Sequence, residues 1–315
     1  MQLSDVQFFF EVLIGGLLSG VMYSLVALGF VLIYKASGVF NFAQGSMVFF
    51  AALTFVGLVE HGLNFWLALP ATLLVMVLLG IVIERVVLRP LVNQPQITLF
   101  MATIGLSFLI EGLAQIVWGA GVHGLDLGIE DAPIQWISDS TGMNVSKFDL
   151  MAAGVAAVLV STLAVFFNRT RIGRALRAVA DDHQAALAVG IPLQQIWSIV
   201  WAVAGGVALV AGLLWGARNG VQFSLTFTAL KALPVLILGG FESVAGAIVG
   251  GLIIGASEKL AEIYIPQFLN APLTEAMGVS VNLAGLEIWF PYALALAFLL
   301  IRPEGLFGEK HIDRV

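Results

Sequence analysis

Two short polar stretches carry most of the groups able to do chemistry in this sequence. The first, GVFNFAQGSM, runs from Gly38 to Met47 and sets Asn41, Gln44, Gly45 and Ser46 inside an otherwise apolar run. Uncharged amides and hydroxyls at membrane depth must find partners in the protein or line a wet cavity. The stretch therefore reads either as a helix-helix hydrogen-bonding point or as a broken helix facing the path of a polar solute. The second, TRIGRALRAVADDHQAALAVGIP, runs from Thr170 to Pro192. Its apolar positions Ala175, Leu176, Val179, Ala186, Leu187 and Val189 suit one or two short amphipathic helices at a membrane surface. Asp181 or Asp182 could cap the second of them. Gly190 ends the apolar pattern before Ile191-Pro192, where a left-handed helix cap is expected. Arg169, Arg171, Arg174 and Arg177 serve either as orientation anchors beside anionic lipid or as contacts to a partner.

Other reactive types are sparse. Glu111 and Lys231 interrupt apolar spans, and ionisable groups inside a membrane are functional candidates by default, though a structural role is the plainer expectation for both. Four histidines lack metal-ligand spacing. Asp181-Asp182 is an isolated acidic pair, not a spaced carboxylate set for magnesium. A G-x-x-x-x-G-K-[ST] loop is absent, so the chain is not by itself a P-loop ATPase. It has no cysteine, which excludes disulfides and thiolate metal sites.

The elements that must position these residues are set by solvent. Hydrophobic residues make up 60% of the 315 and charged ones 11%, where a soluble domain carries roughly a quarter charged. Mean hydropathy is +1.00. Apolar runs lie at about 8–33, 39–59, 64–87, 97–118, 149–167, 196–216, 223–240, 243–263 and 286–301, most long enough to cross a hydrocarbon core of roughly 30 Å as a helix. They are continuous rather than alternating, so helices are expected instead of a barrel. The prediction is an all-α polytopic bundle of eight or nine transmembrane helices, forming one domain over 1–315. Lys231 and Pro234 interrupt the seventh run, which reads as a half-helix or re-entrant piece. The N-terminus reads as the start of the first membrane helix, not as a removed signal peptide.

Basic residues set the orientation. The arginines of 168–192 contrast with Asp126, Glu130, Asp131 and Asp139 in 119–147, so the first segment is placed in the cytoplasm and the second outside. Counting through the spans then puts Lys35, Arg85, Arg89, Arg302, Lys310 and Arg314 inside and the N-terminus outside. Among the 34 glycines, Gly15, Gly16, Gly20 and Gly29 early and Gly246, Gly250, Gly251 and Gly255 late cluster inside the spans, and small residues about four apart suit close helix packing in lipid. The helix-breaking stretches at Gly38 and Gly240 hint at an inverted repeat.

Six segments together resemble the branched-chain amino-acid (Liv-type) ABC importer permeases: LIYKASGVFNFAQGSM (32–47), ERVVLRPL (84–91), TIGLSFLIEGLAQIVWG (103–119), TRIGRALRAVADDHQAALAVGI (170–191), KALPVLILGGFESVAGAIVGG (231–251) and RPEGLFG (302–308). The resemblance implies a non-catalytic permease subunit in the cell inner membrane. Its implied partners are a second homologous permease, two cytoplasmic ATP-binding subunits and an extracytoplasmic solute-binding protein, with no nucleic acid. ATP and magnesium would be used by the partner subunits, and this chain would hold no cofactor or metal. The resemblance also implies a coupling loop at about 168–192 involving Arg171, Gly173, Arg174, Arg177, Asp182, Gln184, Ala185, Ala186 and Gly190. Of the family pattern E-A-A-x-x-x-G, Gln184 departs by replacing Glu, which leaves open whether Asp182 supplies the acidic contact. The stretch 264–285 is longer than the family usually needs. Urea or short-chain amide permeases share the architecture, and an ion-coupled secondary transporter is a rival of another class. The rival would need mid-membrane carboxylates, of which the spans offer few.

The orientation predicts that a cysteine replacing Asp131 in this cysteine-free chain reacts with impermeant thiol reagents in intact cells, while one replacing Ala178 is protected. Reversed labelling overturns the assignment.

Overall fold

The computed structural model describes residues 3–91, 94–181, 183–278, 283 and 285–308. In chain order the helices are α1 (Leu3–Ser37), α2 (Gln44–Glu60), α3 (Phe65–Val82), α4 (Gln96–Trp118), α5 (Gln135–Thr141), α6 (Lys147–Arg169) and α7 (Arg171–Asp181). There follow α8 (His183–Ala188), α9 (Leu193–Asn219), α10 (Thr228–Lys231), α11 (Leu233–Gly239), α12 (Val244–Met277) and α13 (Leu286–Ile301). A π turn (Ile83–Leu88) and a 3-10 turn (Arg89–Leu91) extend α3, and a second 3-10 turn (Phe223–Phe227) precedes α10. Among the described residues no strand forms beyond isolated bridges at His123–Val221 and Pro133–Ser146.

Among the described residues six helices are long and apolar enough to cross a membrane: Asp5–Ser37, Phe65–Leu91, Gln96–Trp118, Lys147–Arg169, Leu193–Asn219 and Val244–Asn270. Three shorter apolar segments, Gln44–Glu60, Phe223–Gly239 and Leu286–Ile301, account for the remaining runs. The seventh run is discontinuous, as expected, broken at Ala232 between α10 and α11. The eighth continues well beyond the expected 243–263, because helical backbone carries through Pro266 and Pro272 to Met277. Lys310 and Arg314 lie outside the described residues.

The helices divide into two compact units, each drawn from several stretches of sequence. One comprises 25–127 and 158–230. Its centre is α2, which at 17 residues spans only about 26 Å at 1.5 Å per residue. Every residue of α2 from Gln44 to Gly57 but Phe50 is buried, so protein rather than lipid surrounds most of it. Glycines let neighbouring backbones touch: a methyl group at Gly212 on α9 would stand 2.5 Å from Val48 O, and one at Gly205 2.5 Å from Met76 O. The outward faces of α3 and α4 instead carry Leu74, Leu78, Phe108 and Ile116, exposed large apolar groups suited to hydrocarbon.

The other unit comprises 1–24, 128–157 and 231–315. Here α1 and α12 meet through four of the span glycines, Gly16, Gly20, Gly251 and Gly255. A methyl group at Gly20 would stand 2.5 Å from Gly251 O, and one at Gly16 2.8 Å from Gly255 O. Ser24 Oγ donates to Gly20 O at 2.9 Å and to Ile248 O at 3.3 Å across the contact. The RPEGLFG tail folds onto the end of α11, with Leu306 N donating to Leu238 O (2.8 Å) and Phe307 N to Gly239 O (3.1 Å). These bonds answer carbonyls that the helix end leaves open.

Gly251→Ala therefore forces apart backbones that cannot relax, at a cost of about 1–3 kcal/mol. Gly105→Ala on α4 meets nothing within 4 Å and gains up to about 1 kcal/mol of helix propensity. Heat denaturation of the purified chain in detergent should show a lowered midpoint for the first and none for the second; equal midpoints sink the packing account.

Candidate functional site

The polar turn before α2 is built by Asn41. Helix α1 stops at Gly38, whose φ of +66° suits a residue without Cβ. Asn41 Oδ1 then accepts from Ala43 N at 3.1 Å, its carbonyl accepts from Gln44 N at 3.2 Å, and its Nδ2 donates to Gln44 Oε1 at 3.2 Å. The asparagine thereby satisfies the first orphan groups of α2. Thr103 of α4 stitches the turn from outside, donating to Phe40 O and accepting from Phe42 N, both at 3.2 Å.

Asn41, Gln44 and Ser46 are sealed from solvent, and Gly45 packs flat against Thr226 O and Ala229. Ser46 and Ser107 oxygens stand 2.6 Å apart, and Ser46 donates to Glu111 Oε1 at 2.7 Å. Two hydroxyls on one carboxylate make a hydrogen-bond clamp between α2 and α4. Glu111 thus sits inside the protein. Gln44 differs from its neighbours. Its amide lies over Gly29 of α1, where any Cβ would overlap it, and among the described residues its Nε2 has no hydrogen-bond partner. An orphaned buried donor costs about 1–3 kcal/mol, which makes this amide the group of the stretch most open to a passing acceptor.

The arginine-rich segment folds as two short helices. Thr170 Oγ1 accepts from Gly173 N at 3.1 Å and so caps α7. Gly173 must be small because a Cβ there would collide with the Phe167 backbone. Leu176 and Val179 face inward, while Arg171 and Arg174 are exposed. Arg177 behaves otherwise, donating to Phe167 O at 2.5 Å and to Asn168 O at 3.4 Å, so that it closes the C-terminal end of α6. In α8, Ala186 is buried and Ala185 is exposed. Asp182 and the side chain of Gln184 lie outside the described residues. Gly190 ends the helix as the sequence predicts. Its φ is +82°, its N–H bonds Leu187 O at 3.0 Å, and Ile191 N bonds Ala186 O at 2.9 Å, the paired bonds of a Schellman cap. Outside that cap Leu187 is 55% exposed and Val189 76%.

A third cluster escaped sequence reasoning. Arg89 donates to Glu84 through Nε (3.2 Å) and Nη2 (3.1 Å), and Ser198 Oγ on α9 donates to Glu84 Oε2 at 2.6 Å. The π turn between them makes this pair possible, because i to i+5 spacing in such a turn brings the two side chains to one face. The sole signal in the sequence was ERVVLRPL, quoted above as a family segment, without anything to identify Ser198 as the partner.

Continuous apolar helices, a broken helix and polar turns within apolar runs define an all-α polytopic membrane protein. Residues 12–301 match the family described as "Branched-chain amino acid transport system / permease component", and the chain belongs to that family. It is 27% identical to the high-affinity branched-chain amino acid transport system permease protein LivH of Escherichia coli (strain K12), over 98% of each chain. It is 26% identical to the corresponding permease protein BraD of Pseudomonas aeruginosa, over 99% of each. Among solved structures, PsaBC from Streptococcus pneumoniae in complex with Fab shares the fold with a TM-score of 0.50 and 16% identity, covering 97% of each chain.

Arg89→Ala leaves Glu84 buried beside Ser198 without its cation, and breaking such a pair costs up to about 3 kcal/mol. Arg89→Ala combined with Glu84→Leu removes both charges and should recover most of the loss. Thermal midpoints of the two variants in detergent decide it; a double variant no more stable than the single one overturns the pairing argument.

Proposed function

We propose that this permease is the translocation subunit of a binding-protein-dependent ABC importer for branched-chain or related amino acids. In this reading it works with a second homologous permease, two cytoplasmic ATPase subunits that hydrolyse ATP, and an extracytoplasmic solute-binding protein. The observation that carries the reading is the α7–α8 segment. It is a rigidly capped pair of short helices that presents Arg171, Arg174, Leu187 and Val189 outward. Exposed apolar groups rimmed by charge suit a protein partner. Family membership and the full-length likeness to LivH and BraD support the same assignment.

Closure of the ATPases on ATP would push α7–α8. Because α9 starts three residues after the Gly190 cap and Ser198 ties it to Glu84 and Arg89, the push would pass into α3 and α9 as one body. Arg177, being spent on the end of α6, serves that rigidity, and the docking charge falls to Arg171 and Arg174. The turn at Asn41, Gln44, Gly45 and Ser46 is assigned to the solute path, closed in the conformation described here, with Gln44 Nε2 as its free donor. The α7–α8 segment and C-terminus are assigned to the cytoplasm, and the N-terminus to the outside. A solute-binding protein that takes urea or amides but no amino acid would move the substrate to the related amide class.

Gly190→Val forces a β-branched residue into left-handed backbone and unseats the cap. It should cut ATP-driven uptake about tenfold or more and lose the ATPases on co-purification, while membrane insertion stays normal because no span is touched. Charge reversal at Arg174 should weaken the same contact in a salt-dependent way. Full retention of the ATPases with normal uptake in Gly190→Val would sink the coupling assignment.

A further inference from the structure

An ion pair outside both sites lies at the break in the seventh apolar segment. Lys231 is the last residue of α10, and Ala232 forms the break before α11. Its ammonium stands 3.2 Å from Glu258 Oε1 on α12. Tyr23 of α1 donates its hydroxyl to the same oxygen at 3.1 Å, and the ammonium is 6.0 Å from the Tyr23 ring centroid. All three residues belong to one compact unit. The close approach of α1 and α12 through Gly16, Gly20, Gly251 and Gly255 is what brings Tyr23 within reach, since Tyr23 follows Gly20 by three residues and Glu258 follows Gly255 by three.

Depth and exposure make the pair unusual. Glu258 lies near the middle of the span Val244–Asn270, about 21 Å along the helix from Val244 at 1.5 Å per residue. The carboxylate is closed in, at 6% exposed, whereas the lysine side chain is 37% exposed. Lys231 stands beside Glu258 at that level of the span, and an ammonium facing hydrocarbon there is expensive. Its open side must therefore meet water or another polar surface. Transporters place their solute sites near the midplane, beside discontinuous helices, and Lys231 occupies such a break.

We propose that Lys231 and Glu258, with Tyr23, form a mid-membrane site for the α-amino and α-carboxylate groups of a passing amino acid. A zwitterion carries on one carbon the same two charges that the pair carries. It can exchange partners with the pair, its carboxylate going to Lys231 and its ammonium to Glu258, without adding net charge to a low-dielectric region. The Tyr23 hydroxyl holds Glu258 in place while the lysine turns to the ligand. The site makes no use of the ligand's side chain, so it suits amino acids as a class and leaves choice among them to other groups. The inference rests on the amino-acid importer reading above.

The test uses the complete transporter in proteoliposomes with its binding protein and labelled leucine. Lys231→Met combined with Glu258→Leu removes both charges and leaves none unpaired, so the variant should still co-purify with its ATPase subunits. Its leucine uptake should fall about tenfold or more, because both charged contacts to the ligand are lost. Lys231→Gln should lose uptake similarly, whereas Lys231→Arg, which keeps the cation, should retain most of it. If the wild type imports no leucine, the amino-acid reading fails and the site with it. If the wild type imports leucine and either charge-removing variant matches it, the pair is structural only and the site alone is overturned.

Discussion

A helix that breaks inside a membrane exposes N–H and C=O groups that no water reaches, and each must be answered by the protein itself. Much of this structure follows from how that demand is met. At the turn between α1 and α2, Asn41 supplies two of the missing bonds, and Thr103 supplies two more from α4. The end of α1 is closed from another helix, since Trp197 Nε1 donates to Ala36 O at 2.8 Å. At the end of α11 the answer comes from the C-terminal tail, whose Leu306 and Phe307 amides return to Leu238 and Gly239. Each break is thus tied to a distant part of its own compact unit, which makes the breaks rigid points rather than slack ones.

Close approach of small residues is the second condition. Lipid tails are as apolar as leucine, so burial alone does not draw membrane helices together. Contact between bare backbones at Gly20 and Gly251, or at Gly212 and Val48, supplies dispersion and allows polar side chains to reach across. Ser24, Tyr23 and Glu258 depend on the first of these contacts for their partners. The Ser46–Ser107–Glu111 clamp shows the same logic between α2 and α4 with hydroxyls in place of glycine. Buried carboxylates are tolerated here because each has hydrogen-bond donors aimed at it: serines for Glu111, Arg89 and Ser198 for Glu84, Lys231 and Tyr23 for Glu258.

The short helices α7 and α8 obey the opposite solvent. They are amphipathic, stand outside the candidate spans and are closed by local caps at Thr170 and Gly190. Local caps make their shape independent of any partner, so a force applied to them would turn them as a body. A separate tie, from Ser198 on α9 to Glu84 and through it to Arg89, joins α9 to the turns that extend α3.

By itself the sequence determined whatever depends on composition and local spacing. The all-α membrane class follows from long uncharged runs, and the interruption at Lys231 and Pro234 marked the broken helix. The paired bonds at Gly190 follow from a glycine closing an apolar pattern before Ile191-Pro192. Glycines about four apart in the early and late spans marked close helix packing without saying which helices pair, and six quoted segments announced the family. Tertiary structure alone decided which distant groups meet. Nothing local told that Ser198 would reach Glu84, that Arg177 would turn back onto Phe167, or that Glu258 and Tyr23 would converge on Lys231. Local propensity reads neighbours three or four residues away, whereas these partners lie up to 235 residues apart along the chain. In a membrane they are found only once helix packing has fixed which faces touch.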